Sequence, residues 1–151
     1  MYQMICGILE SAMKTELIES AIYRTWSERT DKSDVAELLA ILARDEEAHY
    51  SDLLNKYMLY SSEKLFDYSV QPSDLEPVDQ ISGADCLAVL DYGIHGEHSA
   101  AMRYRQASQD VDDPVLKSFF QYLENMERNH EASLQRLRVK YSSATQAAAL
   151  P

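Results

Sequence analysis

Two stretches of this sequence place a histidine three residues after a glutamate: Glu46 with His49, and Glu127 with His130. On a helix that spacing puts both side chains on one face. A single such pair is a weak signal, because glutamate is common in helices and a nearby histidine is usually incidental. Here each pair is preceded thirty residues earlier by another glutamate, Glu16 or Glu97. Each of these is followed seven residues later by a tyrosine, Tyr23 or Tyr104. A shift of 81 positions superposes all four relations and lays Ala12 on Gly93, small on small. The chain reads as an internal duplication.

The chemistry this set can do is specific. Two divalent cations a few ångströms apart repel strongly, and carboxylates offset that repulsion. Four glutamates supply four negative charges against four positive ones, and two neutral imidazoles complete the ligand shells. Mixed oxygen and nitrogen donors suit iron or manganese better than copper or a closed zinc–thiolate site. Two glutamates plus two Glu-x-x-His pairs form the di-iron or di-manganese carboxylate pattern of helical bundles. The competing reading is a duplicated bundle that kept the pattern and lost the metal. Intact residues at all six positions argue against it.

Four helical segments must position these groups. They run from about Tyr2 to Glu28, from Ser33 to Tyr60, from an N-cap at Ser82 to Gln109, and from Asp113-Pro114 to Tyr141. Proline just after an aspartate cap suits the first helical turn of the last segment. Apolar residues step by three and four along each segment, as in Leu39, Leu42, Glu46, His49, Leu53 or Phe120, Leu123, Glu127, His130, Leu134. That is the seam of a packed bundle, interrupted at mid-helix by acids. Acids go inside only when paired or bound to metal. Segments one and two, and three and four, are joined by short turns, which make antiparallel neighbours. The long connection from Ser61 to Ser82 can run the length of the bundle. The expected fold is all-α: two helical hairpins joined by one crossover, ferritin-like in connectivity, over residues 1–142, with a flexible tail at 143–151.

Composition narrows the partners. The 151 residues fit one domain, large enough for a core without disulfides. With 25 acidic and 14 basic residues the net charge is -11, which repels nucleic acid and anionic membrane. Cys6 and Cys86 are the only cysteines and read as small apolar residues, so a reduced, cytoplasmic setting is expected. The start of the chain lacks the basic and long apolar regions of a signal peptide, and no segment approaches eighteen apolar residues, so no membrane span is expected.

At ESAMKTELIESAIY, ARDEEAHY, GEHSAAMRY and ENMERNH the chain resembles the rubrerythrin-like branch of the ferritin-like superfamily, from about Tyr2 to Tyr141. The resemblance implies Glu16 and Glu97 as terminal carboxylate ligands, Glu46 and Glu127 as bridging ones, and His49 and His130 as nitrogen ligands. It implies that Tyr23 and Tyr104 hydrogen-bond to the metal-bound carboxylates; core packing is the other role open to each. Two departures stand out. No four-cysteine rubredoxin module is present, so electrons are expected from an external donor such as a rubredoxin-like protein. Peroxide-reducing rubrerythrins carry an extra glutamate three residues after the third-helix ligand, and here that residue is Ala100. Glu19, its counterpart in the first half, is either a seventh ligand or an acid outside the centre. Asp45 and Glu47 are expected to face solvent or a neighbouring helix, and His95 and His98 to be ordinary helix histidines.

The resemblance therefore implies a centre of two iron ions, with manganese or zinc as substitutes. The implied activity is a non-haem di-iron oxidoreductase that reduces hydrogen peroxide or dioxygen, in defence against oxidative stress. Iron handling by ferroxidase turnover is the alternative, and a structural bundle with vestigial metal a third. A homodimer is expected.

Overall fold

The computed structural model describes residues 2–61 and 65–148. Residues 62–64 of the expected crossover and 149–151 of the expected tail lie outside the described residues. The elements are α1 (Tyr2–Arg29), α2 (Ser33–Tyr60), a 3-10 turn (Pro72–Leu75), α3 (Glu76–Gln80), α4 (Cys86–Asp110) and α5 (Pro114–Ala148). No strand occurs among the described residues.

Helix starts follow local chemistry. Asp113 caps α5, its Oδ1 accepting from the backbone N–H groups of Val115 at 2.8 Å and Leu116 at 3.1 Å. The third long helix begins later than expected. Asp85, not Ser82, is its cap, accepting from the Ala88 N–H at 3.1 Å. Ser82 instead closes a turn, its carbonyl accepting from the Asp85 N–H at 2.9 Å. At the other end, α5 runs past Tyr141 to Ala148. The residues after Tyr141 include three alanines before Ala148 is passed, and alanine has the highest helix propensity, so nothing local stops the helix. The crossover holds more structure than its prolines suggested: Pro72 and Pro77 each sit in the first turn of a short helical element, where a missing N–H costs nothing.

Helix α1 packs along α2, and α4 along α5; α2 and α5 also touch. The buried stripes form two apolar clusters. One gathers Trp26, Leu39, Leu42, Leu90 and Leu134; the other Leu9, Leu53, Tyr57, Leu116, Phe120 and Leu123. Each such side chain, fully buried, contributes about 1.5–3 kcal/mol. The crossover seals the first cluster: the Trp26 indole N–H donates to the Ile81 carbonyl at 3.3 Å, and Val78 is buried against it. Gly83 permits that approach, since a Cβ there would lie 2.6 Å from the Arg29 Cβ. Between the two apolar clusters lies a layer of buried acids and imidazoles.

Candidate metal centre

Each of the four long helices delivers one glutamate to this layer: Glu16 from α1, Glu46 from α2, Glu97 from α4 and Glu127 from α5. Helices α2 and α5 add His49 and His130 one turn further on. All six are buried, none more than 5 % exposed. They converge in two overlapping groups. Glu16, Glu46, His49 and Glu127 present donor atoms within 4.8 Å of one another, and so do Glu46, Glu97, Glu127 and His130. Glu46 and Glu127 belong to both groups; Glu16 and Glu97 belong to one each.

The Nδ1 atoms are the inward ones. His49 Nδ1 lies 2.9 Å from Glu46 Oε2, 3.1 Å from Glu127 Oε1 and 3.6 Å from Glu16 Oε2. His130 Nδ1 lies 3.1 Å from Glu127 Oε2, 3.2 Å from Glu46 Oε1 and 3.5 Å from Glu97 Oε2. Donors about 2.1 Å from a shared octahedral ion sit about 3 Å apart, so these spacings fit two cation shells. The rings themselves lie 5.5 Å apart and nearly parallel, at 22°.

A second observation supports the fit. Glu16 Oε2, Glu46 Oε1, Glu97 Oε2 and Glu127 Oε1 are buried without a properly formed hydrogen bond. Leaving one such group unsatisfied costs about 1–3 kcal/mol, more for a charge. Four in one layer form a site that a pair of cations would satisfy.

Without metal, protons take up part of that role. Burial pushes the Glu46 carboxyl well above its usual range, with the Glu16 charge adding to it. Burial also lifts Glu97 to about 7. Burial disfavours imidazolium at His130, but its close contacts with Glu127, Glu46 and Glu97 win and raise it to about 12. His49 is raised in the same way, by Glu127, Glu16 and Glu46 against burial. Glu127 faces both imidazoles; these contacts outweigh its burial and hold it down at about 2.

The two tyrosines cross between hairpins. Tyr23 of α1 donates its hydroxyl to Glu97 Oε1 at 2.5 Å, and Tyr104 of α4 donates to Glu16 Oε1. Each half thus steadies the singly used glutamate of the other half. Burial and then the facing carboxylate (Glu97 for Tyr23, Glu16 for Tyr104) push both phenols well above their usual range, so they remain donors.

Asp45, expected to face solvent or a neighbouring helix, faces α5. Its Oδ2 lies 3.3 Å from His130 Nε2, bridging α2 to α5. A carboxylate on the outer nitrogen fixes which nitrogen points inward. The repeat gave no signal for it, because its counterpart 81 positions on is Met126, and His49 Nε2 is buried without a partner. Glu19 falls in neither group. It is mostly buried, and its Oε1 lies 3.8 Å from an Arg103 guanidinium nitrogen. Glu47 pairs with Arg24, and His98 sits on the surface 3.4 Å from Glu131. His95 is exposed. Cys86 is buried and Cys6 half-buried, both as free thiols.

No protein-family model and no curated protein matches the chain. Two solved structures are similar to it. One is a hypothetical protein from Pyrococcus furiosus, with TM-score 0.73 and 20 % identity over 89 % of this chain and 87 % of that one. The other is described as a dodecameric thioferritin, the bacterioferritin-related protein from Bacteroides fragilis. Its TM-score is 0.77 and its identity 14 %, over 100 % of this chain and 93 % of that one. At such identities the likeness speaks for the fold. The chain has the ferritin-like helical-bundle fold, with a buried carboxylate and histidine cluster at its middle that can hold metal ions.

Proposed function

We propose that the protein is a non-haem di-iron oxidoreductase of rubrerythrin-like type that reduces hydrogen peroxide or dioxygen. The observation that carries this reading is the sharing of Glu46 and Glu127 by two donor groups, each completed by one imidazole and one further glutamate. Glu46 and Glu127 would bridge the ions, Glu16 and Glu97 would cap them, and His49 and His130 would supply nitrogen through Nδ1. When bound, the iron pair supplies two electrons to the oxidant. The chain's own residues hold charge and exclude water: Tyr23 and Tyr104 orient Glu97 and Glu16, Asp45 orients His130, and the apolar clusters above and below keep the layer dry. Ala100 is buried and offers no further carboxylate. An external protein donor would return the electrons, in a cytoplasmic setting. Among the described residues no helix is long and apolar enough to cross a membrane. Manganese or zinc suits the same donors.

The likeness in fold to a described thioferritin supports a second reading, iron handling, in which ferrous iron is substrate and ferric iron is passed on. In that case assembly beyond a homodimer is expected. One experiment separates the readings. The protein is loaded anaerobically with Fe(II), its iron counted, and peroxide or dioxygen added while ferric absorbance is followed. Two irons per chain, oxidised faster by peroxide and retained, support the oxidoreductase. Faster oxidation by dioxygen with release of ferric iron supports iron handling. Absence of stoichiometric iron or manganese overturns both.

A further inference from the structure

The 81-residue repeat also breaks at an aromatic pair beside the centre. Tyr92, five residues before Glu97 on α4, packs edge to face on Trp26 with ring centroids 5.0 Å apart, and Trp26 is wholly buried. The repeat sets Ala107 against Trp26 and Ser11 against Tyr92. An indole and a phenol on one side are thus matched by a methyl and a hydroxymethyl on the other.

The second side is open. A groove of about 440 Å³ runs between α1 and α4, and both Ser11 and Ala107 line it. Met4, Ile8 and Ala12 give it apolar walls, and Glu16 and Tyr104 lie at its inner end. Glu16 is 1 % exposed, with Oε2 turned to His49 Nδ1 at 3.6 Å and Oε1 accepting from Tyr104, so the groove stops short of the donor layer. A Cβ built on Gly7 would meet nothing within 4 Å, so the backbone of α1 is bare there. A concave, mostly apolar space of a few hundred Å³ with a few convergent polar groups is the usual form of a small-molecule site.

Charge completes the description. Arg103 is the cation among the lining residues. Its nearest acid, Glu19, is 3.8 Å away, too far for a hydrogen bond, and the arginine side chain is about half exposed. Asp110, the exposed acid of the lining, accepts from the Gln106 amide at 2.8 Å. It sits seven residues from Arg103, about 10 Å along the helix. Arg103 thus gives the groove one half-exposed cation, loosely paired with Glu19.

We propose that this groove binds a small, mostly apolar molecule bearing one carboxylate. Its apolar body lies against Ile8, Ala12 and Ala107, and its acid group rests on Arg103. The site stands beside Glu16, so an occupant would approach the centre from the α1–α4 side. Side chains of α1 and α4 alone build the groove, so binding does not depend on metal. Failure of this proposal is therefore distinct from failure of the redox reading.

The test uses the full chain, metal-free and loaded with Zn(II), titrated with indole-3-acetate and with neutral indole while backbone amide shifts are followed by NMR. Saturable shifts at Gly7, Ser11 and Ala107 are expected with both, indole-3-acetate binding about fivefold tighter or more, as a charge-assisted contact provides. Arg103→Gln should erase that difference. Ala107→Trp, which recreates the Trp26 arrangement and occupies the groove, should weaken both probes at least about tenfold. Gly7→Leu, which projects into the open space, should do the same if the tryptophan variant does not fold. The proposal is overturned by any of four results: no saturable shift up to roughly 5 mM probe; shifts that map elsewhere; equal affinity for the two probes; or filling variants that bind like wild type. A dimer that covers Met4 and Ile8 and abolishes the shifts would also overturn it.

Discussion

Tyr23 of α1 donates its hydroxyl to Glu97 of α4, Oη to Oε1 at 2.5 Å, 74 residues away in sequence. The bond ties one hairpin to the other at the level of the candidate centre. Removing it leaves a buried carboxylate oxygen without its donor, at a cost of about 1–3 kcal/mol. Tyr23→Phe should therefore lower the stability of the metal-free protein by that order. It should also weaken metal affinity about 10–100-fold, the usual cost of losing an orienting partner. Chelator competition on the variant measures the effect. Wild-type affinity would assign Tyr23 to packing alone.

The Asp45 contact with His130 predicts that the two metal positions are unequal. His130 has a carboxylate 3.3 Å from its outer nitrogen, whereas His49 Nε2 has no partner. Asp45→Ala should reduce affinity at the Glu97–His130 position by about tenfold and leave the Glu16–His49 position nearly unchanged. Because the Asp45 side chain is 40 % exposed, the folded stability should shift by less than about 1 kcal/mol. Two equal binding steps in the wild type would contradict the asymmetry.

The grouping of the six candidate ligands was legible because its signal was doubled. Glu16, Glu46 and His49 each have a counterpart 81 residues on, and identical spacing in two halves is hard to reach by chance. The four long helices were legible from the same periodicity. What escaped was unpaired or local. Asp45 has Met126 as its counterpart, so no repeat marked it. The start of α4 went to Asp85 because its carboxylate reaches the Ala88 N–H, while Ser82 was spent on the preceding turn. The crossing of the tyrosines between hairpins needs three-dimensional placement, since a seven-residue offset from Glu16 or Glu97 says nothing about which glutamate each hydroxyl meets. The open groove is legible as Ala107 and Ser11 only once Trp26 and Tyr92 are seen packed together.

The sharing of Glu46 and Glu127 predicts what their loss does. Glu46→Ala or Glu127→Ala removes a donor from both groups at once, whereas Glu16→Ala removes one from a single group. The shared substitutions should abolish paired-metal binding, and Glu16→Ala should leave one tight ion. Far-UV circular dichroism should stay helical in all three, because the apolar clusters on either side are untouched. Two tight metals per chain in either shared variant would sink the bridging assignment.

Stability of the metal-free protein should fall as pH rises above about 4.5. Glu97 has its folded value at about 7 against an ordinary 4.5, so in this interval the native state holds a proton that the unfolded state has lost. Stability contributed by that proton is complete below 4.5 and lost by about 7. By linkage it is on the order of 3 kcal/mol. His130, raised from 6.5 to about 12, acts in the same direction at higher pH. Glu127 acts oppositely, but only between about 2 and 4.5. Chemical denaturation at pH 5 and pH 8 should show the metal-free protein weaker at pH 8. A stability that rises over this range would contradict the protonation pattern.

Metal uptake should release protons from these same groups. At neutral pH the metal-free layer holds them on His49 and His130, and further ones on Glu46 and in part on Glu97. Ligands must be neutral imidazole and ionised carboxylate, so loading displaces about two to four protons per chain. Affinity therefore rises with pH, opposite in sign to the stability of the metal-free fold. The two trends share one cause, the crowding of four carboxylates that either protons or cations must offset. Titration calorimetry with Zn(II) in buffers of different ionisation enthalpy counts the protons. Release of fewer than about one per chain would place the metal at other residues, because surface carboxylates are already ionised at neutral pH and have none to give.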